Sequence, residues 1–218
     1  MSAPSPATVK ARWIQLAAEL ELPADLTTTA WAEIKTAYSE PHRHYHTLHH
    51  IEAMLSGLDT HRPTFDDLQV AALALIYHDI IYDPARQDNE TQSAARLSDR
   101  FSTHIDPARV ARACRHIEAT RRHDPTDDAD TNLVLDLDMS ILGAPWPDYL
   151  AYAAGVYAEY APIYGAEAYA MGRVKLFLEP TQSKARIFLT SHFAALEAQA
   201  RDNLAREQSL WLAGKFAV

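Results

Sequence analysis

Cysteine is almost absent from this chain: Cys114 is the only one among 218 residues. A single thiol excludes an internal disulfide and a thiolate zinc cluster, and it fits a reducing compartment. Glycine is scarce, with six residues. Neither GxxxxGK nor GxGxxG occurs, so no glycine-rich phosphate loop is expected. Alternating runs of β-branched residues are nearly missing, which argues against a sheet. Positive charge is also short: 20 Lys and Arg stand against 29 Asp and Glu, a net charge of -9. Wrapping a nucleic-acid polymer needs clustered cations, so such a partner is not expected. A small anionic substrate stays open, because one bound cation can invert the field locally. No stretch approaches the ~20 apolar residues that span a bilayer. Met1 to Thr8 lacks the basic start and apolar run of a signal peptide. A cytoplasmic protein with no membrane partner is the expectation.

What remains is helix-forming material. Hydrophobic residues make up 48% of the chain, enough for a real core. Apolar residues recur at helical spacing over Thr8 to Leu20 and, after Thr28, at Trp31, Ile34 and Tyr38. A histidine-dense turn follows from Pro41 to His50, then a helix to about Leu58. Asp66 is the expected cap of a helix over Leu68 to Tyr82 that is apolar on nearly every face, hence central. Further helices are expected over Asn89 to Phe101, from Asp106-Pro107 to Arg121, and over Thr131 to Leu142, the last stopped by Gly143. Pro147 to Tyr160, Ala166 to Leu178 and one long helix over Gln182 to Leu212 complete the series. His123 to Asp130 lacks the central glycine of a calcium loop and is expected as a solvated acidic loop. The fold class is therefore all-α, one helical domain over 1–218, with a helical appendage at 1–30 and a C-terminal helix at 180–218.

The chemistry gathers in a few words. His78-Asp79 ends the most apolar helix, where ionisable side chains are costly unless each has a partner, and a shared cation serves both. His46 and His50 lie one helical turn apart if their segment is helical. Asp136 and Asp138 interrupt the apolar stripe Leu135, Met139 and Leu142, where a carboxylate again wants a cation or a strong donor. His116, Thr120 and His123 share one stripe of their helix.

The order His, His-Asp, Asp on separate helices resembles the HD-domain phosphohydrolases. Tyr45-His46-(x)3-His50 is similar to the Tyr-His-Asn-(x)2-His element of cyclic-nucleotide phosphodiesterases, with Thr47 in place of the Asn, and Asp138-Met139-Ser140 is similar to their Asp-Leu-Ser. The whole chain more closely resembles a group of small bacterial predicted HD phosphohydrolases. His42-Arg43-His44-Tyr45-His46, His78-Asp79-Ile80-Ile81-Tyr82-Asp83, Asn89-Glu90-(x)2-Ser93-Ala94 and Asp136-(x)-Asp138-Met139-Ser140-Ile141-Leu142-Gly143 carry that likeness. The resemblance implies an HD-type helical bundle whose metal ligands are His50, His78, Asp79 and Asp138, with Asp136 as the alternative for the last.

The resemblance also implies His46 as proton donor to the leaving group and Glu90 as the residue positioning a water. One or two ions of manganese, iron, cobalt, magnesium or zinc suit such nitrogen and oxygen donors. Arg43, with its planar fork, and His123 and Asn89 are candidate substrate-binding residues, although Asn89 and Glu90 also suit the first turn of a helix. The expected activity is hydrolysis of a phosphate ester or anhydride, of a nucleotide by analogy. Alternatives are a di-iron oxygenase and a non-catalytic metal- or nucleotide-binding domain. A homodimer is compatible with the sequence.

Overall fold

The computed structural model describes residues 6–216, and among these there are helices and turns but no strand. The all-α class is therefore correct. No helix among the described residues is long and apolar enough to cross a membrane. The chain divides into two compact units, Met1–Leu137 and Asp138–Val218. The division falls within one helix, Ala129–Met139.

The first unit contains α1 (Pro6–Glu19), α2 (Ala24–Ala37), α3 (Leu48–Thr60), α4 (Leu68–Tyr77), α5 (Asn89–Phe101), α6 (Pro107–Ala119) and most of α7 (Ala129–Met139). Helix α4 is its axis. Every residue from Val70 to Tyr77 is buried, and α1, α3, α5 and α6 all pack on it. Burying so apolar a segment contributes ~25 cal/mol per Å2 removed from water. Trp13, Tyr77 and Phe101 meet with ring centroids 5.3–6.4 Å apart. The Trp13 indole donates to the Thr27 carbonyl at 2.9 Å, so its polar edge is satisfied.

Helix α5 shows the amphipathic logic plainly. Asn89, Ser93, Leu97 and Phe101 recur every fourth residue and are buried. Helix α6 begins as expected, with the Asp106 carboxylate accepting from the amides of Ala108 and Arg109 and Pro107 following it.

Several local expectations are corrected. The cap of α4 is Asp67, whose Oδ1 accepts from the Val70 amide at 3.1 Å, while Arg109 donates to both Asp67 oxygens. The acidic stretch that leads into the first turn of α7 is not simply a solvated loop. Asp130 is fully buried, accepting from the amides of Asp66 and Asp67 at 2.9 Å and lying 3.1 Å from Arg112. Arg112 also grips Asp128 through two hydrogen bonds, which hold that carboxyl below the usual range.

Helix α4 stops at Tyr77, and does not continue to Tyr82. Side chains take over the backbone groups beyond it. Ser93 bonds the amide and carbonyl of Ile81, Asn89 bonds those of Asp83, and Arg43 takes the carbonyls of Asp79 and Ile80. With those groups satisfied, leaving the helix carries no unpaired-backbone cost.

The second unit contains a short 3-10 turn at Ser140–Gly143, then α8 (Trp146–Tyr164), α9 (Ala166–Gly172), a π-helical stretch at Arg173–Leu178, α10 (Glu179–Ser183), a 3-10 segment at Ser191–Leu196 and α11 (Glu197–Leu212). The expected continuous helix over Gln182 to Leu212 is thus broken. The chain turns extended at Lys184, and Ile187 and Phe188 bury side by side. Glu197 accepts their amides at 3.0–3.2 Å, and Arg201 donates to the carbonyls of Gln182 and Lys184 at 2.9–3.0 Å. Gly143 is also not the left-handed helix stop expected of it. A Cβ there would lie 2.5 Å from the Leu196 Cβ, so only glycine permits that approach.

Candidate metal centre

Three of the candidate ligands converge. One ligand atom each from His50, His78 and Asp138 lies within 4.8 Å of the other two, the one group of its kind among the described residues. His50 projects from α3 and His78 from the end of α4, and both are buried. Asp138 is half-buried in the last turn of α7. It opens the second unit, but α7 runs unbroken from Ala129, so its placement follows from a helix rooted in the first. Asp138 rather than Asp136 belongs to the group.

The other residues sort by distance. Asp79 lies outside that three-membered group, yet its Oδ2 stands 2.9 Å from His78 Nε2 and 3.9 Å from His46 Nε2. His46 precedes α3, which starts at Leu48, so the one-turn helical spacing expected of His46 and His50 does not apply. Their rings still meet, with centroids 5.8 Å apart. Thr47 is the cap of α3, its side chain accepting from the His49 amide, a role not anticipated from the sequence. Tyr45 and Tyr82 were also missed. Tyr45 packs on His50 at 4.8 Å and Tyr82 on His46 at 4.4 Å, walls supplied by the same words that carry the histidines.

The tautomer of His78 follows from its neighbours. Its Nδ1 lies 2.9 Å from the Leu75 carbonyl, which can only accept, so Nδ1 carries the proton. In a neutral ring, Nε2 then presents a lone pair toward the Asp79 carboxylate. Two lone pairs at 2.9 Å repel unless positive charge sits with them, either a proton or a metal ion. Two imidazoles with carboxylates, one ring oriented by a backbone carbonyl, make a donor set that fits a divalent cation.

The three candidate substrate-binding residues are placed differently from one another. Arg43 points inward. Its guanidinium is buried and donates to Glu40 Oε2 at 2.9 Å and to the carbonyls of Asp79, His46 and Ile80 at 2.7, 3.3 and 3.4 Å. Asn89 spends its amide on both backbone groups of Asp83, at 2.9 and 3.2 Å, and so ties the loop before α5. His123 lies just beyond α6 in a left-handed conformation, φ 50°, and is outside the His50, His78, Asp138 group. Glu90 sits half-buried in the first turn of α5, where an acid suits the helix dipole.

His116 is likewise outside the ligand group. It is 0% exposed, and its Nδ1 lies 2.7 Å from the Thr131 hydroxyl. Burial pushes its pKa down to about 4, with smaller effects from Asp128 and Arg112. The folded chain therefore refuses a proton that the unfolded chain accepts below about 6.5. Stability is full above pH 6.5, falls by roughly 3 kcal/mol as pH drops to 4, and loses nothing more from this group below that. Urea unfolding at pH 7 and pH 4.5 should show a smaller acid loss in His116→Gln than in the wild type. Equal losses in both would remove His116 as a cause.

Comparison of the chain with protein-family models, with curated proteins and with solved structures found no match in any of the three.

Proposed function

We propose that this chain is a metal-dependent phosphohydrolase that cleaves the phosphate ester or anhydride of a small molecule, by analogy a nucleotide. The observation that carries this reading is the meeting of His50, His78 and Asp138 within 4.8 Å, from three helices far apart in sequence. The sequence resemblance supplies the reaction class, and the geometry supplies compatible residues. His50, His78 and Asp138 would hold the ion, with the Asp79 carboxylate beside them. Bound there, a divalent cation would act as Lewis acid toward a phosphoryl oxygen and acidify a water.

The chain's own groups have distinct tasks in this reading. Leu75 fixes the tautomer of His78 through its carbonyl. The carboxylates of Asp79 and Asp138 offset the charge of the ion. His46, whose Nε2 is 3.9 Å from Asp79 Oδ2, holds a proton for the leaving oxygen. The Tyr45 and Tyr82 rings pack against His46 and limit how water reaches it.

The test has two stages. Protein purified without added metal is assayed for metal content, then for phosphate release from a panel of nucleotides and phosphate esters with manganese, magnesium, cobalt or zinc. The expected result is about one ion per chain and phosphate release that a chelator abolishes. Cation uptake with no phosphate released from any substrate would sink the hydrolase and leave a binding domain. No uptake of any ion would sink the centre itself.

A further inference from the structure

We infer that Arg43 is the positioning residue of the candidate metal centre: its guanidinium clamps the turn carrying His46 to the turn carrying Asp79. This rests on the reading of His50, His78, Asp79 and Asp138 as a cation site. The two turns lie outside the helices that carry His50 and His78. Helix α3 has not begun at His46, and beyond the end of α4 at Tyr77 the chain makes a turn closed by the Ile80 amide on the Tyr77 carbonyl at 3.1 Å. Arg43 bridges them. Nη1 donates to both the His46 carbonyl (3.3 Å) and the Asp79 carbonyl (2.7 Å), and Nη2 donates to the Ile80 carbonyl (3.4 Å). A single planar fork thereby fixes the backbone of the expected proton donor and of a carboxylate beside the ligands.

The fork is itself held. Nε donates to Glu40 Oε2 at 2.9 Å, and the guanidinium carbon lies 5.0 Å from the Tyr38 ring centre and 5.1 Å from that of Tyr82. The Tyr38 hydroxyl donates to the Ile76 carbonyl at 2.9 Å, which anchors that wall to α4. Tyr82 also packs on His46. A buried cation beside a metal site would ordinarily repel the ion. Here Glu40 offsets the charge, and the donors are spent on backbone oxygens. Lysine cannot replace this arrangement, because an ammonium is a point donor that lacks the planar spread of a guanidinium.

The experiment titrates manganese(II) into metal-free wild type, Arg43→Lys and Arg43→Met by calorimetry, with circular dichroism to confirm helix content. Arg112→Met serves as the control, since it removes another partly buried arginine clamp in the same unit, on Asp128 and Asp130. Both Arg43 variants are expected to bind manganese about 10- to 100-fold more weakly, the usual cost of losing an outer-shell partner. Arg112→Met should lower the melting temperature and leave manganese affinity unchanged. Arg43→Lys keeps a positive charge for Glu40 and is the variant that decides the matter if Arg43→Met does not fold. Folded Arg43→Lys with wild-type affinity would overturn the inference while leaving the centre intact. An equal loss in Arg112→Met would overturn it as general destabilisation. A wild type that takes up no manganese would instead overturn the reading on which it rests.

Discussion

His78→Ala is expected to abolish divalent-cation uptake at the candidate centre and, with it, any chelator-sensitive phosphate release. The expected loss of affinity exceeds about 100-fold, the upper end of what removing a mere outer-shell partner costs. The reason lies in how the ring is held. Its Nδ1 proton is committed to the Leu75 carbonyl, so Nε2 is the only nitrogen available, and it faces Asp79 at 2.9 Å in a buried setting. Alanine removes that donor, and nothing on the same turn of α4 can replace it, since Leu73 to Tyr77 are buried and spent on the core. His49→Ala provides the contrast. His49 is exposed and adjacent in sequence to His50, so its loss should leave affinity unchanged. Calorimetric titration with manganese or zinc separates the outcomes. Equal weakening by both substitutions would point to loose binding by a histidine-rich surface. An unaffected His78→Ala would mean that the ion, if bound at all, sits elsewhere.

The second large effect concerns stability in the other unit. Arg173 and Glu207 form a buried ion pair, with Nε to Oε1 at 2.9 Å and Nη2 to Oε2 at 3.1 Å. Burial pushes the Glu207 carboxyl up, and the Arg173 guanidinium more than offsets that, holding it below the usual carboxylate range. The Tyr149 hydroxyl and the Trp211 indole also donate to Glu207, and the Arg173 Nη2 reaches the Tyr152 hydroxyl at 3.1 Å. Glu207→Leu leaves the arginine charge buried with its main partner gone. Unfolding by urea should show a loss of about 3–5 kcal/mol, the range for a broken buried pair. The double variant Arg173→Met/Glu207→Leu should recover much of that loss, because neither charge then has to be desolvated. A single-variant loss below about 1 kcal/mol would mean that water reaches the guanidinium, and that the pair is not the keystone of α8, α11 and the π-helical stretch.

Those two predictions mark where reading residues in order succeeded and where it failed. Helical periodicity sufficed for α1, α3, α5 and α6, since each buries one apolar stripe and is bounded by a proline, a cap or a turn residue. It sufficed also for the exceptional apolarity of α4. The meeting of His50 with His78 and Asp138 was implied by the resemblance, whereas the cost of placing ionisable groups in apolar helices marked only His78-Asp79 and the Asp136 and Asp138 pair. Arg173 carried no comparable signal. A lone arginine on a helix is usually solvated, and its partner Glu207 lies 34 residues away. The partners of Arg43 were hidden for a related reason. An arginine among histidines suits phosphate binding, and nothing local says that four of its hydrogen bonds go to Glu40 and to three backbone carbonyls.

Local pattern thus settled the all-α class, most helices and the identity of the ionisable residues worth watching, because helix stripes, caps and charge cost are short-range properties. The folded chain alone decided where α4 ends, why 182–212 is not one helix, which of Asp136 and Asp138 joins the ligand group, and which way Arg43 faces. Each of those depends on a backbone group or a charge finding its partner from a distant segment. Such a partner, whether Ser93 for Ile81, Glu197 for Ile187 or Arg43 for Asp79, leaves no trace in the pattern of its neighbours.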